Sequence, residues 1–239
     1  MLEIKDLKFD VADGERRLGI IDGVSLAFPE GKFTVITGPN GGGKSTLARL
    51  IMGLEKQTGG SVLLDGEDIS ALSVTERARM GLGYAFQQPP RFKGMTVRRL
   101  MNIAAGKTLT HDECCNYLMR VGLCSAEYIN REVDSSLSGG EVKRIEIATL
   151  MARNPKVAIF DEPEAGIDLW SFSILVDTFR KMQKETKGSV IIISHQERIM
   201  ALADEIVVVA DGKVKLQGKR DDVLPSLMKE FSPARCRKC

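Results

Sequence analysis

A glycine-rich segment ending in lysine and serine, Gly38-Pro39-Asn40-Gly41-Gly42-Gly43-Lys44-Ser45, has the composition and spacing of a phosphate-binding loop. Its glycines let successive backbone N–H groups turn toward phosphate oxygens, and the helix predicted from Lys44 adds the positive end of its dipole. Lys44 is expected to reach the β- and γ-phosphates of a nucleotide, and the Ser45 hydroxyl to ligate Mg²⁺. A plain glycine-rich turn is the alternative, and the strand predicted at Phe33–Thr37, directly before the loop, argues against it.

Two adjacent carboxylates, Asp161 and Glu162, follow the apolar strand predicted at Val157–Phe160. Asp161 is expected to hold Mg²⁺ indirectly, and Glu162 to polarise the water that attacks the γ-phosphate. Taken alone, two acids after a strand are more often a solvated turn. The phosphate-binding loop earlier in the chain favours the catalytic interpretation.

Gln87 and His195 each come directly after a predicted strand, at 82–86 and 190–194. A glutamine can bond both Mg²⁺ and the attacking water, and a histidine can contact the γ-phosphate as a neutral or a protonated donor. A lone residue of either type carries almost no information. Because α/β folds gather ligands at the carboxyl ends of parallel strands, we expect both residues to join the nucleotide site.

Short apolar runs alternate with amphipathic stretches along the chain, which is typical of an α/β protein. The runs at 157–160, 190–193 and 206–210 are apolar on consecutive residues, as expected for strands covered on both faces. The opening residues instead carry strand-like runs separated by Asp-Gly and Pro-Glu-Gly turns. These predict an antiparallel β subdomain beside the parallel core.

Composition excludes several classes of protein. The 239 residues include 34 basic and 32 acidic side chains, a net charge of +2 that gives no reason to expect a nucleic-acid partner. The charged N-terminus has no apolar signal region, and the longest apolar runs are too short to cross a bilayer. Five cysteines, an odd number, together with no secretion signal, predict a cytoplasmic protein with reduced thiols.

The segment Leu137-Ser138-Gly139-Gly140-Glu141 completes an ordered set of motifs. With Walker A at 38–45, a Q-loop at Gln87, Walker B at 157–162, a D-loop near 165–168 and a switch at His195, the chain resembles the ATPases of the ATP-binding-cassette (ABC) family over essentially its whole length. The resemblance implies a P-loop ABC ATPase fold of α/β class. That fold has a mixed sheet core, an N-terminal antiparallel β subdomain and a helical subdomain.

The resemblance further implies one domain over residues 1–239. Residues 1–88 and 150–239 form a RecA-like core and its antiparallel β subdomain, and residues 89–149 form a helical subdomain that carries the signature. Two cassettes are expected to meet head to tail around two ATP molecules. Ser138, Gly139 and Gly140 of one cassette then face the γ-phosphate held by the other. That is physically reasonable, because LSGG opens a helix whose exposed N–H groups form an anion site.

The predicted site residues follow from these motifs. The catalytic residues are Glu162, His195 and Gln87. The Mg²⁺ ligands are Ser45, Gln87 and Asp161. The ATP-binding residues are Gly38, Pro39, Asn40, Gly41, Gly42, Gly43, Lys44, Ser45, Thr46, Ser138, Gly139, Gly140 and Val11.

Three features resemble, more finely, the ATPase subunit of the SUF iron–sulfur cluster assembly system. The signature continues as Glu141-Val142-Lys143-Arg144, where transporters usually have Gln, and the switch region reads His195-Gln196-Glu197-Arg198-Ile199. Val11 stands where transporters often place a Tyr against adenine, which leaves apolar contact in place of stacking. The transporter-like Glu162-Pro163 step argues the other way, and Glu141 has a simpler explanation as a helix N-terminal acid favoured by the dipole.

Two functions therefore remain open. The SUF resemblance implies an ATPase that drives conformational change in a soluble scaffold protein during iron–sulfur cluster assembly. The alternative is the nucleotide-binding subunit of an ABC transporter, with residues 87–94 docking a membrane permease. A DNA-repair or chromosome ATPase is disfavoured, because the roughly 110 residues between the Walker motifs contain no heptads.

Two other features are less informative. Cys236 and Cys239 have metal-ligand spacing, but one such pair supplies only two ligands, and incidental thiols in a C-terminal tail are the favoured interpretation. Trp170, which opens the helix after the D-loop, is expected to be a packing anchor.

Overall fold

The computed structural model describes residues 1–14, 16–185 and 187–230. The expectation of a tail with the pair Cys236 and Cys239 falls outside these residues. Within the described chain the strands are β1 (Leu2–Asp13), β2 (Arg16–Phe28), β3 (Phe33–Thr37), β4 (Gly59–Leu64), β5 (Glu67–Asp68), β6 (Leu82–Ala85), β7 (Phe92–Thr96), β8 (Glu132–Val133), β9 (Val157–Asp161), β10 (Ser189–Ile193), β11 (Glu205–Ala210) and β12 (Lys213–Lys219).

The helices alternate with these strands. They are α1 (Lys44–Met52), α2 (Val74–Arg79), α3 (Val97–Ala105), α4 (His111–Arg120), α5 (Ser125–Tyr128), α6 (Gly139–Arg153), α7 (Leu169–Glu185), α8 (Glu197–Met200) and α9 (Arg220–Glu230). No helix among the described residues combines the length and the apolar character needed to span a bilayer.

A six-stranded mixed sheet in the order β12-β11-β3-β10-β9-β6 forms the centre of the fold. All its strand pairs are parallel except the antiparallel β11–β12 pair, and every residue of β3, β9 and β10 is buried. Continuous apolar runs give such strands because both faces of the sheet are covered. Since β3, β6, β9 and β10 run in one direction, the loops that follow them meet at one edge of the sheet.

The predicted antiparallel subdomain is a four-stranded sheet in the order β2-β1-β4-β5, with Leu2 opposite both Phe28 and Leu64. Helix α1 lies between this sheet and the central one. Its buried residues Leu47 and Ile51 belong to a core cluster that contains side chains of both sheets. The mixed core and the antiparallel sheet are thus as predicted.

The helical region contains α3, α4, α5 and the first part of α6, as expected, but it also holds two short paired strands, β7 and β8. The prediction missed them because each is short and pairs only with the other, far along the chain. Helix α6 continues to Arg153, so the predicted boundary at 149/150 falls inside a helix. Val97, Met101 and Ile145 share one core cluster with Phe160 of β9, which joins the helical region firmly to the sheet.

Candidate functional site

The phosphate-binding loop connects β3 to α1 in a conformation that glycine permits. Gly38 and Gly43 have φ values of 134° and 100°. A Cβ atom on Gly38 would lie 2.0 Å from the carbonyl oxygen of Val209, and one on Gly43 would lie 2.8 Å from a side-chain atom of Ile21. The loop therefore packs so closely against β11 and β2 that Gly38 and Gly43 could not carry a side chain without a shift of their neighbours.

Lys44 lies buried inside this loop. Its ammonium Nζ donates to the carbonyl oxygens of Gly38 and Pro39, at 2.9 and 2.8 Å. Burial lowers the pKa of Lys44, while the nearby carboxylates of Glu162 and Asp161 act in the opposite direction. The charge is thus held at the loop that is predicted to bind phosphate, on a side chain with little freedom to move.

Asp161 is 1% exposed and has a hydrogen-bond donor at each carboxylate oxygen. Ser45 Oγ donates to Oδ1 at 2.8 Å, and the Tyr84 hydroxyl donates to Oδ2 at 2.7 Å. Tyr84 was not predicted, because a tyrosine within a strand ordinarily indicates only packing. Burial, reinforced by the negative charge of Asp161, raises the pKa of Tyr84 far above its usual range, so the hydroxyl remains a donor.

Glu162, Gln87 and His195 lie close together at the edge of the sheet. Gln87 Nε2 donates to Glu162 Oε2 at 2.8 Å, and His195 Nε2 lies 3.9 Å from Glu162 Oε1. Glu162 has a φ of 45°, and its N–H donates across to the carbonyl of Ile193. This left-handed conformation, which costs about 1–3 kcal/mol for a residue other than glycine, turns the carboxylate out of the strand direction.

The surroundings of the His195 imidazole favour its neutral form. Burial lowers its pKa, and the positive charge of Lys44 lowers it further, with partial opposition from Glu162. A neutral imidazole has one N–H donor and one acceptor. His195 is therefore suited to contact a phosphate oxygen or a water without adding a full charge.

A cavity of about 330 Å³ opens above the loop. Its lining brings together the phosphate loop, the Q-loop and Walker B, and adds Ile20 of β2. The residues are Ile20, Asn40, Gly41, Gly43, Lys44, Ser45, Thr46, Gln87 and Glu162. Among the described residues that line it, Ile20 is the apolar side chain, and no sequence signal distinguished it. Val11, predicted to contact adenine, is absent from this lining and pairs with Leu18 across the β1–β2 hairpin.

The signature residues begin α6 and do not line that cavity. Ser138 and Glu141 form a capping box, in which Ser138 Oγ accepts from the Glu141 N–H and Glu141 Oε2 accepts from the Ser138 N–H at 2.6 Å. Glu141 also accepts a hydrogen bond from the Tyr128 hydroxyl and lies 4.0 Å from Arg131. Glu141 thus has a structural role as a helix N-terminal acid, the simpler of the two explanations.

Further along α6, Lys143 and Glu146 hold the backbone that leads into Gln87. Lys143, 1% exposed, donates to the carbonyl oxygens of Phe86 and Gln87 at 2.9 and 2.7 Å. Glu146 Oε1 accepts from the Phe86 N–H at 2.9 Å. The helix that begins with the signature is therefore bonded directly to the Q-loop, a connection that sequence reasoning did not anticipate.

Trp170 contradicts the expectation of a packing anchor, because it is 84% exposed. It lies on the first turn of α7, whose buried side is formed instead by Ser171, Leu175 and Phe179. The neighbouring Leu169 is also exposed. An apolar surface therefore adjoins the D-loop.

A larger cavity of about 740 Å³ lies between the central sheet and the helical region, and we call it the groove. Its lining is mostly apolar and comes from β6 and the residue after it, from β7, and from helices α3 and α6: Tyr84, Phe86, Phe92, Leu100, Ile103, Ala104, Val142 and Ile145. Arg79, Arg153 and Glu146 add charge at its border.

The donor set at the phosphate loop fits Mg²⁺ held together with a nucleotide. Ser45, Asp161 and Gln87 offer hydroxyl, carboxylate and amide oxygens, which are ligands that Mg²⁺ prefers. No group of three His, Cys, Asp or Glu side chains arranged for a metal occurs in the described part of the chain. Mg²⁺ is commonly held in this way by one or two protein ligands plus phosphate oxygens.

Comparison with known proteins agrees with these features. The family model described as "ABC transporter" matches residues 21–165. The uncharacterized ABC transporter ATP-binding protein MJ0035 of Methanocaldococcus jannaschii is 37% identical over 247 positions, covering 100% of this chain and 95% of that protein. The energy-coupling factor transporter ATP-binding protein EcfA1 of Mycoplasma mobile is 34% identical, covering 94% of this chain and 82% of that protein. The ATP-binding cassette MJ0796, solved as a dimer with ADP and Pi, superposes with a TM-score of 0.82 at 25% identity, covering 92% and 99% of the two chains.

Proposed function

We propose, since the chain belongs to the ABC transporter family and is an ATPase, that it is the nucleotide-binding subunit of a membrane transporter. The observation that carries the proposal is the apolar groove, whose wall includes Tyr84 and Phe86 immediately before Gln87. An apolar segment of a permease seated there would contact the strand that ends at the ATP site. ATP turnover and movement of the permease would thereby be coupled.

The hydrolytic roles are assigned from the geometry of the site. Lys44 and the loop N–H groups bind the phosphates, and Ser45, Asp161 and Gln87 are the residues that would hold Mg²⁺, which neutralises phosphate charge. Glu162 acts as the base that orients and polarises the attacking water. Gln87 donates to Glu162 Oε2 and orients the carboxylate, and His195 lies 3.9 Å from its other oxygen.

A second copy of the cassette, or a related one, completes each site in this proposal. Ser138 and the two glycines expose the N-terminus of the 15-residue helix α6, and no heavy atom lies within 4 Å of a Cβ placed on Gly139. Helix N-termini bind anions through free N–H groups and the helix dipole. In a head-to-tail dimer this end of α6 would face the γ-phosphate bound by the partner.

The SUF assignment remains a prediction that the comparisons do not support. MJ0035 and EcfA1 are named as transporter ATP-binding proteins, and the names of these relatives do not refer to iron–sulfur cluster assembly. Glu141 and Lys143, two of the residues on which the assignment rested, have structural roles in capping α6 and holding the Q-loop. The transporter reading is therefore the one we favour.

The groove provides a direct test. Ile103→Glu places a charge on an exposed residue of the groove, and Met119→Glu is a matched control on α4, since the two side chains are 60% and 63% exposed. Tagged full-length chain is purified from its native cells after mild crosslinking, and the captured proteins are identified. We expect the unaltered chain and Met119→Glu to recover an integral membrane protein, and Ile103→Glu to lose it while its binding of ATP is unchanged.

Recovery of a soluble scaffold protein in place of a membrane protein would contradict the transporter proposal and support cluster assembly. Equal recovery of a permease by Ile103→Glu would show that the permease docks elsewhere. The ATPase assignment is independent of either result.

A further inference from the structure

We propose that the Tyr84 hydroxyl fixes the orientation of Asp161 and, through it, of Ser45, so that Tyr84 is a positioning residue for the Mg²⁺ site. The three side chains form one continuous series of hydrogen bonds. Tyr84 donates to Asp161 Oδ2 at 2.7 Å, and Ser45 donates to Asp161 Oδ1 at 2.8 Å. They come from β6, β9 and α1, three elements that are distant in the sequence.

The chemistry of the serine explains why this orientation matters. The Ser45 hydroxyl has one proton and two lone pairs. When the proton is directed at Asp161 Oδ1, both lone pairs remain available to a cation above the loop. If the carboxylate rotated, Ser45 would lose this acceptor and the hydroxyl could turn its proton toward the cation instead.

Water is poorly placed to replace Tyr84 as a donor to Asp161. Asp161 is 1% exposed, so bulk water cannot readily replace a lost donor. The ring of Tyr84 is itself held edge-on against Phe86, with ring centroids 4.9 Å apart and planes at 75°.

The test is Tyr84→Phe, which removes the hydroxyl and keeps the ring. Binding of ADP is measured calorimetrically in EDTA, and binding of Mn²⁺ to the ADP complex by electron paramagnetic resonance. We expect Mn²⁺ affinity to fall about tenfold, the size expected when one hydrogen bond to a charged group is lost. The affinity for ADP in EDTA should not change, because the phosphate loop and Lys44 are untouched.

The chain offers a matched control. Tyr128 also donates a hydrogen bond to a carboxylate, that of Glu141, but at the N-terminus of α6. Tyr128→Phe should leave Mn²⁺ affinity unchanged in the monomer. A second measurement compares Ser45→Ala with the double variant Ser45→Ala/Tyr84→Phe: the loss caused by Tyr84→Phe should be smaller when Ser45 is already absent, because part of the effect of Tyr84 passes through the serine.

Three results would overturn the proposal. One is unchanged or tighter Mn²⁺ binding by Tyr84→Phe. Another is an equal loss of ADP affinity in EDTA, which would indicate general distortion of the loop. The third is a fully additive loss in the double variant, since no part of the effect of Tyr84 would then pass through the serine.

Discussion

At the scale of single residues, folding changes the pKa of the Glu146 carboxyl group within an experimentally accessible pH range. Burial raises its pKa from 4.5 to about 7, against the opposing effects of the Phe86 N–H and the charge of Lys143. Between these two values the folded chain holds a proton that the unfolded chain has released. The contribution of Glu146 to the free energy of unfolding is therefore fully present below the pKa of the unfolded chain. It is lost as the pH rises through the pKa of the folded chain.

We expect Glu146→Gln to remove this dependence. The glutamine oxygen can still accept from the Phe86 N–H, but no charge has to be buried at high pH. Urea unfolding at pH 8 should show the variant more stable than the unaltered chain by about 3 kcal/mol, and the difference should disappear as the pH is lowered to about 4. Glu67→Gln, at an exposed position on β5, is the control, and a pH-independent difference at Glu146 would refute the expectation.

At the scale of secondary-structure elements, α6 connects two functional segments. Its first turn carries the signature glycines, which we propose face a partner, and its next turn holds Phe86 and Gln87 through Lys143 and Glu146. A displacement of the signature would therefore act on the Q-loop of the same chain through a rigid helix. The capping box at its N-terminus fixes where that helix begins.

The cap leads to a prediction about Glu141. Glu141→Ala should lower the free energy of unfolding by about 1 kcal/mol, because the Ser138 N–H loses its acceptor and Tyr128 loses its partner. Glu141→Gln keeps an acceptor at this position and should cost less. Both are measured by urea unfolding, with Glu76→Ala in the equivalent capping box of α2 as a comparison. If Glu141→Ala had the same free energy of unfolding as the unaltered chain, Glu141 would have no role in stability and the acid would be explained by function alone.

At the scale of the whole molecule, the proposed hydrolytic cycle requires two cassettes, and the single tryptophan provides a means to observe their association. Trp170 is largely exposed and lies two residues after Asp168 of the D-loop. We expect Glu162→Gln to bind ATP, to lose turnover by about 10²- to 10⁴-fold, and to accumulate as an ATP-bound dimer. Trp170 emission should shift to shorter wavelength as its surroundings become less aqueous.

Light scattering and fluorescence measured together test this prediction. Glu162→Gln combined with Lys44→Ala is the control, and it should show neither the dimer nor the shift because phosphate binding is lost. Continued ATP hydrolysis by Glu162→Gln alone would remove Glu162 from its role as the base. A dimer without any fluorescence change would place Trp170 outside the interface.

Several elements could be predicted because their causes are local. The apolar runs at β9 and β10 predict strands buried on both faces, and the strand before Gly38 with the helix after it predicts a phosphate loop. β7 and β8 could not be found in this way, since their pairing joins residues 92–96 to 132–133. Ile20 was missed for the same reason: only packing places it beside the loop.

The sequence itself thus determined the order and chemistry of the motifs. A glycine-rich loop that ends in lysine and serine, followed later by two adjacent acids after an apolar strand, has few functions other than binding and hydrolysing a nucleotide. Only the tertiary structure decided what surrounds them. It placed Tyr84 on Asp161, Lys143 on the carbonyl of Gln87 and Ile20 in the cavity, and it left Trp170 on the surface. These contacts join elements far apart in the chain, and they depend on packing geometry that no local pattern encodes.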